Sequence, residues 1–469
     1  MALVDKIPEL LSYINKNKPY LESNRVKLDI YDGNLIGYVI DALARTLSEN
    51  YFKKIEERIL PINVLPRITQ KSAKSYETKP TRLVDAKYEE IISSYENAFF
   101  MNTKMESADV YSHLFKGYAL EPFLHEGKPK LRVLPYDRFL PYSDDKVDET
   151  NMTIFIKFMG KRVVTKLGKD VVVEVFHAYS KDEFVSFDSE GDLVSDDMVL
   201  NEGVNPFGVI PFYYGNRGND ILLPVQDTDI VALTKMIPML LTDLSGAILF
   251  QCFSIMWGID INAENLTMSP NAFWSLKSDI TSNKTPSVGT IKPEADIDKV
   301  ISFVMTTFAL WLETKGIRAG SIGTVDDTSL ASGVSKLIDE MDTTSIVIKS
   351  QTSFSKEESE FWKMFARMNN YWVANSLLLP EYNKGIFGDD FNVQMLFDQP
   401  EPMQDRKTMV DTQKAEVDAG FTSRKRAIVK LNPDMTPEQV DELMLEIDQD
   451  SSVNVTEEEP STKEETNQK

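Results

Sequence analysis

The sequence predicts a mixed α+β fold that is mainly α-helical, and three features predict it. Apolar residues recur at helical spacing on both sides of a central block. That block, Leu120 to Phe212, switches to short β-branched and aromatic runs broken by Gly, Pro and Asp. No Gly or Pro occurs between Gly333 and Pro380. With 42% hydrophobic and 10% aromatic residues over 469 positions, the chain can bury a sizeable core.

The start, Met1-Ala-Leu-Val-Asp-Lys-Ile-Pro, reads as a short amphipathic helix without the basic start and apolar stretch of a secretory signal. Segment Asn24 to Gly33 leads into a helix over Ile36 to Ile59, where Ile36, Ile40, Leu43 and Leu47 share one face. Past Pro61 and Pro66, Thr69 to Thr81 is polar and reads as a loop. Leu83 to Gly117 returns to helical spacing through Tyr88, Ile91, Ile92, Tyr95 and Phe99. In the central block, Lys130 to Leu134, Thr153 to Lys157, Val171 to Phe176 and Glu183 to Phe187 read as strands of an antiparallel meander. Helices over Asp229 to Trp257 and Ala295 to Lys315 then flank a stretch rich in Asn, Ser, Pro and Thr. The helix after Gly333 carries Leu337, Ile338, Met341, Phe361, Phe365, Met368 and Trp372 at helical spacing, and an unbroken run would be on the order of 70 Å long. Its β-branched stretch, Thr343 to Ile348, predicts a bend or break. A strand follows over Phe391 to Phe397, then a helix over Asp405 to Ala419 that Gly420 stops. Thr436-Pro-Glu-Gln439 supplies an N-cap, a first-turn proline and a capping-box residue for a helix to Ile447.

The side chains that carry chemistry are sparse. Cys252 is the single cysteine, so no internal disulfide or cysteine metal cluster can form, which fits a reducing compartment. His113, His125 and His177 have no metal-ligand spacing, and no phosphate-cradling Gly-x-x-x-x-Gly-Lys-Ser/Thr or Gly-x-Gly-x-x-Gly occurs. Asp188-Ser-Glu-Gly-Asp192 approximates a calcium loop, but its glycine falls too early, so a hairpin turn is favoured. Asp227 with Asp229, Asp144 with Asp145, and Asp389 with Asp390 read as turns or helix caps. Catalytic, cofactor and metal sites are therefore not expected. Met236 to Ile259 is long and apolar enough to consider as a membrane span, but Asp243 within it and the missing basic flank favour a buried helix. The net charge of −22 disfavours a general nucleic-acid-coating protein. Twelve acids against Lys463 and Lys469 crowd the sequence after Leu431, and the tail 451–469 is expected to be solvated and disordered.

Asn205-Pro-Phe-Gly-Val-Ile-Pro-Phe212, followed by Asp229-Ile-Val-Ala-Leu233 and Leu241-Thr-Asp-Leu-Ser245, resembles the wing-to-stem passage of the portal proteins of tailed bacteriophages. Ser332-Gly-Val-Ser-Lys336 is similar to that family's motif after its tunnel loop, and Ala419-Gly-Phe-Thr-Ser423 to its crown-proximal segment. The pieces keep the family's order, so the resemblance spans roughly Asn24 to Asp450.

The resemblance implies a subunit of a ring, in that family usually dodecameric, at one capsid vertex of the virion, assembled in the host cytoplasm. Double-stranded DNA would pass through it without sequence specificity. Terminase, a head–tail adaptor and a capsid or scaffold protein would be its partners, with no membrane involved. Residues 1–228 would form the wing, 229–257 and 295–318 the stem helices and 258–294 the clip. Residues 319–332 would form the tunnel loop, 333–404 a long wing helix and closing strand, and 405–450 the crown. Within the tunnel loop Thr324, Val325, Asp326, Asp327, Thr328, Ser329 and Leu330 are acidic overall and unsuited to phosphate contact. Lys315 and Arg318 are the better DNA candidates by charge, although cations at a helix C-terminus also complement the macrodipole. In the clip, Lys277, Lys284 and Lys292 are candidates for partner contact. The alternatives are another head–tail connector or capsid-associated protein, a carboxylate-metal nuclease, and a membrane protein.

Overall fold

The computed structural model describes residues 2–166, 169–194, 203–217, 221–252, 255–259, 287–291, 297–317, 333–397, 406–432, 439–440 and 442–447. The chain divides into two units, Met1–Gln399 and Pro400–Lys469. The first opens with α1 (Ile7–Lys16), α2 (Lys18–Tyr31), α3 (Leu35–Thr46), α4 (Glu49–Ile55) and α5 (Leu65–Ser72). Strand β1 (Thr81–Leu83) precedes α6 (Glu89–Phe99) and α7 (Met101–Phe115). The amphipathic start is α1, which buries Ile7, Leu10 and Ile14. Three expectations shift in this region. The helix expected over Ile36–Ile59 is interrupted where Leu47 and Ser48 turn extended. The loop expected from Thr69 starts only after Ser72, because Pro66 opens α5 in the first turn, where its missing N–H costs nothing. The helix expected over Leu83–Gly117 divides at Phe100, whose left-handed backbone (φ 52°) ends α6 and starts α7.

The central block forms two antiparallel sheets instead of one meander. Strands β2 (Gly117–His125) and β3 (Lys128–Leu134) form a hairpin whose turn residues Glu126 and Gly127 both have positive φ, the geometry of a type I′ turn. The meander proper is β4 (Phe139–Tyr142), β5 (Ile154–Lys166), β6 (Lys169–Tyr179) and β7 (Phe184–Asp188). Then β8 (Tyr213–Asn216) returns to pair with β2, giving a three-stranded sheet of order β3-β2-β8. Two glycines permit that return. A Cβ on Gly215 would stand 2.4 Å from the Tyr118 ring, and one on Gly117 would stand 2.6 Å from Tyr136. Periodicity in a four-residue strand carries no information about so distant a partner.

Next come α8 (Asp229–Cys252), β9 (Ile255–Ile259), β10 (Ser287–Ile291), α9 (Ile297–Thr314), α10 (Gly333–Ala374) and β11 (Gln394–Leu396). The helix expected to reach Trp257 ends at Cys252, and Trp257 pairs across to Gly289 in an antiparallel β9–β10 ladder. A short apolar run reads equally as helix or strand until a partner is available. The expected break in α10 does not occur: its 42 residues run on for about 60 Å. Val347 is buried there and Ile346 packs on α9's core cluster, so tertiary packing overrides the weak propensity of the β-branched stretch. Among the described residues no helix is long and apolar enough to cross a membrane.

A buried aromatic face seats α10. Phe354, Phe361, Trp362, Phe365 and Trp372 pack with Tyr95 and Phe99 of α6 and Tyr118 of β2. Within that face lies a polar layer. Glu358, fully buried, meets Arg82 at 2.5 Å and accepts hydrogen bonds from Tyr76 (2.7 Å) and the Trp362 indole N–H (3.1 Å). Neighbouring Glu357 accepts from the Tyr118 hydroxyl at 2.6 Å, and Ser350 from Arg217 at 2.8 Å. Arg82 sits on β1, which pairs with β11, a strand that follows α10 in sequence and returns beside it, where the Ser355 hydroxyl donates to the Met395 carbonyl at 3.2 Å. In the second unit, α11 (Arg406–Asp418) ends at Gly420 with φ 77°, as expected, and α12 (Arg424–Leu431) is capped by Ser423. The described residues between Gln439 and Ile447 are helical.

Replacing Arg82 by Met removes the cation and leaves a carboxylate buried. Chemical denaturation should show a loss of about 3–5 kcal/mol. Lys53→Ala breaks the exposed Lys53–Glu49 pair and should change stability by less than about 0.5 kcal/mol.

Candidate functional site at the paired helices

Helices α8 and α9 run antiparallel: the first residue of α8, Asp229, meets Trp311 near the end of α9, and the opposite ends lead into the β9–β10 ladder. Leu233 and Ile237 of α8 pack with Phe308 and Leu312 of α9 and with Ile68 of α5. The other side of α9 is bare. Val300, Phe303 and Leu310 lie away from Phe308 and Leu312 and are 36%, 61% and 59% exposed, while nearer the start of α9 Ile301 and Met305, on the Phe308 side, are exposed as well. Ile248 of α8 is also exposed. Apolar side chains in such a row on a paired element mark a surface that another apolar surface covers.

A charged cluster joins this pair to the rest of the unit. Asp227 bridges Lys116 of the α7–β2 junction (3.0 Å) and Lys315 at the end of α9 (3.4 Å). Lys315 also reaches Asp229 at 3.0 Å, and the Trp311 indole N–H donates to the same Asp229 oxygen at 3.0 Å. The other Asp229 oxygen accepts from the backbone N–H of the next residue, Ile230. Partial burial pushes Asp229 up, but the Lys315 and Trp311 hydrogen bonds outweigh it and hold the carboxyl below its usual range. Burial opposes protonation of Lys315 too, and the two carboxylates overcome it and raise its pKa. Behind them Lys27 of α2 is 1% exposed. Desolvation drags it down to about 8, with Lys116 and Lys315 adding to the shift and Asp227 and Asp229 opposing it.

Of the residues singled out from sequence, Lys315 lies in this cluster and Asp227 and Asp229 surround it. Arg318, the 324–330 stretch, Lys277, Lys284 and Lys292 lie outside the described residues. Lys27, Lys116 and Trp311 were not foreseen. Asn24, Lys27 and Ile30 form the buried face of α2 at three-residue spacing, and nothing in a hydropathy pattern marks a lysine on such a face as inward. Asp188, Glu190 and Asp192 stand close enough together to share an ion. Asp188, however, accepts the backbone N–H groups of both Glu190 (2.8 Å) and Asp192 (3.1 Å), as a turn-closing Asp does. His113 is held among Asp109, Arg217 and Ser350; burial and the Arg217 charge lower its pKa against the pull of Asp109. Asp109 and Ser350 both approach the same ring nitrogen, so no relay through the imidazole exists.

No family model matches the chain, and no curated protein matches it. Among solved structures it is similar to the neck of an empty GTA particle computed with C6 symmetry. The likeness covers 78% of this chain and 89% of that chain at 12% identity and a TM-score of 0.39. A likeness at that level fixes neither family nor activity.

Lys27 gives the cluster a pH signature. Its folded pKa lies below the unfolded value, so the folding penalty is full below about pH 8 and fades as pH rises toward 10.5. Lys27→Met should raise stability on the order of 3 kcal/mol at pH 7, with the gain shrinking between pH 8 and 10.5 in urea titrations.

Proposed function

We propose that the chain is a portal subunit of a tailed bacteriophage, closing with copies of itself into a ring through which DNA enters and leaves the capsid. The observation that carries this reading is the bare apolar row of α9 on an antiparallel helix pair that ends in a β-ladder. One copy leaves Val300, Ile301, Phe303, Met305 and Leu310 to water, most of that area on the side away from Phe308 and Leu312. A head-to-tail contact that repeats by rotation covers that side in every copy and closes into a ring. The order of the sequence segments similar to the portal family supports the same reading.

On this proposal α8 and α9 form the stem, β9 and β10 belong to the clip that meets terminase and later a head–tail adaptor, and 319–332 narrow the channel. Capsid or scaffold protein would bear on the outside. Lys277, Lys284 and Lys292 would serve the clip contacts. Lys315 is committed to Asp227 and Asp229, which makes Arg318 the stronger DNA candidate of the two. The net charge of −22 suits a conduit, since a lumen rich in cations would hold the phosphates it has to pass.

Negative-stain electron microscopy of the purified chain should show hollow rings with radial wings, and strictly monomeric protein at micromolar concentration would sink the proposal. A wingless ring would favour another head–tail connector. The double variant Phe303→Asp, Leu310→Asp should shift the protein from ring to monomer by light scattering while its far-UV circular dichroism stays unchanged.

A further inference from the structure

In a chain of net charge −22, one hollow of about 710 Å³ is lined by Lys104, Lys128, Lys130 and Arg132 and by no acid. Strand β3 produces it. Its residues alternate outward and inward, so Lys128, Lys130 and Arg132 are exposed on one face while Pro129 and Leu131 are buried on the other. Lys104, one turn into α7, faces them across the hollow. Among the described residues Lys104, Lys128 and Lys130 form no ion pair, and Arg132 shares Glu121 with Lys157. Two aromatic residues line it as well: Phe123, with the Arg132 guanidinium 4.6 Å over its ring, and Tyr382.

Phe100 stands at the rim, 71% exposed, with φ 52° and ψ 49°. Glycine or asparagine takes that conformation with least strain, and a bulky residue there is an outlier. The strain yields no packing, because the ring points to water. A second hollow of about 330 Å³ shares Phe100 and Asn97 with the first and is lined by Lys79 and Arg82, both paired with Glu96, which lines it too. The Arg82 Nη2 group there is buried with no hydrogen-bond partner among the described residues. Three unpaired lysines and an exposed ring beside two further aromatic residues make a receptor for carboxylates flanking an apolar side chain.

We infer that this face docks a short acidic peptide segment of a partner protein, anchored by one aromatic or large aliphatic residue against Phe100, Phe123 and Tyr382. A long polyanion such as nucleic acid would meet the repulsion of the whole chain, whereas a few residues of acidic peptide fit the hollow and feel chiefly its local charge. The surface is separate from the α8–α9 pair, so the inference stands or falls apart from the ring.

Fluorescence anisotropy on the full chain tests it, with labelled Glu-Asp-Glu-Phe-Glu-Asp-Glu, the same peptide with Ala for Phe, and oligo(dT). The Phe peptide should bind with a Kd on the order of 10–100 μM at 50 mM salt and weaken at least tenfold by 300 mM. Lys128→Glu with Lys130→Glu should cost at least tenfold. Phe100→Gly should weaken binding severalfold without lowering Tm, since glycine adopts the left-handed conformation freely. Several outcomes overturn the inference: no binding of the Phe peptide, equal binding of the Ala peptide, or tighter binding of oligo(dT). Loss of self-association in the Lys128→Glu, Lys130→Glu variant would also overturn it, by showing that a second copy occupies the face.

Discussion

The meeting of Glu358 and Arg82 fixes where the longest helix of the molecule sits. An aromatic face alone would let α10 slip by a turn along its seat, since Phe361, Phe365, Met368 and Trp372 repeat at helical spacing and offer similar surface in either register. The polar layer removes that freedom. A one-turn slip would part Glu358 from Arg82 and Tyr76, and Glu357 from Tyr118, leaving buried charges that each cost several kcal/mol. The ion pair need not add to net stability to do this, because its effect is to make other registers expensive. The β11 strand packed beside α10 inherits the setting.

The α8–α9 pair is fixed in a complementary way. Its cluster of three lysines and two aspartates lies at one end, where α2, the α7–β2 junction and both helices converge. The pair is thus held at its base, and the exposed row of α9 lies along the remainder. Ile317, buried just past Lys315, is the last described residue before the stretch that precedes α10. That stretch accordingly leaves one anchored element and enters another.

How much of this was legible in the sequence depends on the range of the interaction that decides each element. Local chemistry was readable: the Gly420 stop of α11 and, from the absence of Gly and Pro after Gly333, the presence of a helix there. Elements whose identity depends on distant partners were not. β9 becomes a strand because β10 pairs with it, β8 joins β2 across most of the central block, and the β-branched turn of α10 stays helical because Val347 is buried. At the α8–α9 base, Lys315 and the two aspartates were visible as charged residues at helix ends, where such residues are common. Lys27 was not, because a buried lysine on a mostly polar helix looks like any solvated one until its neighbours are in place.

The closing ladder between β1 and β11 bears on how the chain is made. Thr81 is paired with Leu396, so the strand that carries Arg82 leaves the ribosome long before its partner does. At synthesis rates of roughly 5–20 residues per second the interval is on the order of 15–60 s. During it the Arg82 guanidinium, the Tyr76 ring and the aromatic face of α6 have no α10 to cover them. The nascent chain therefore keeps its principal core open over that interval, and the core closes only once α10 and β11 have been made.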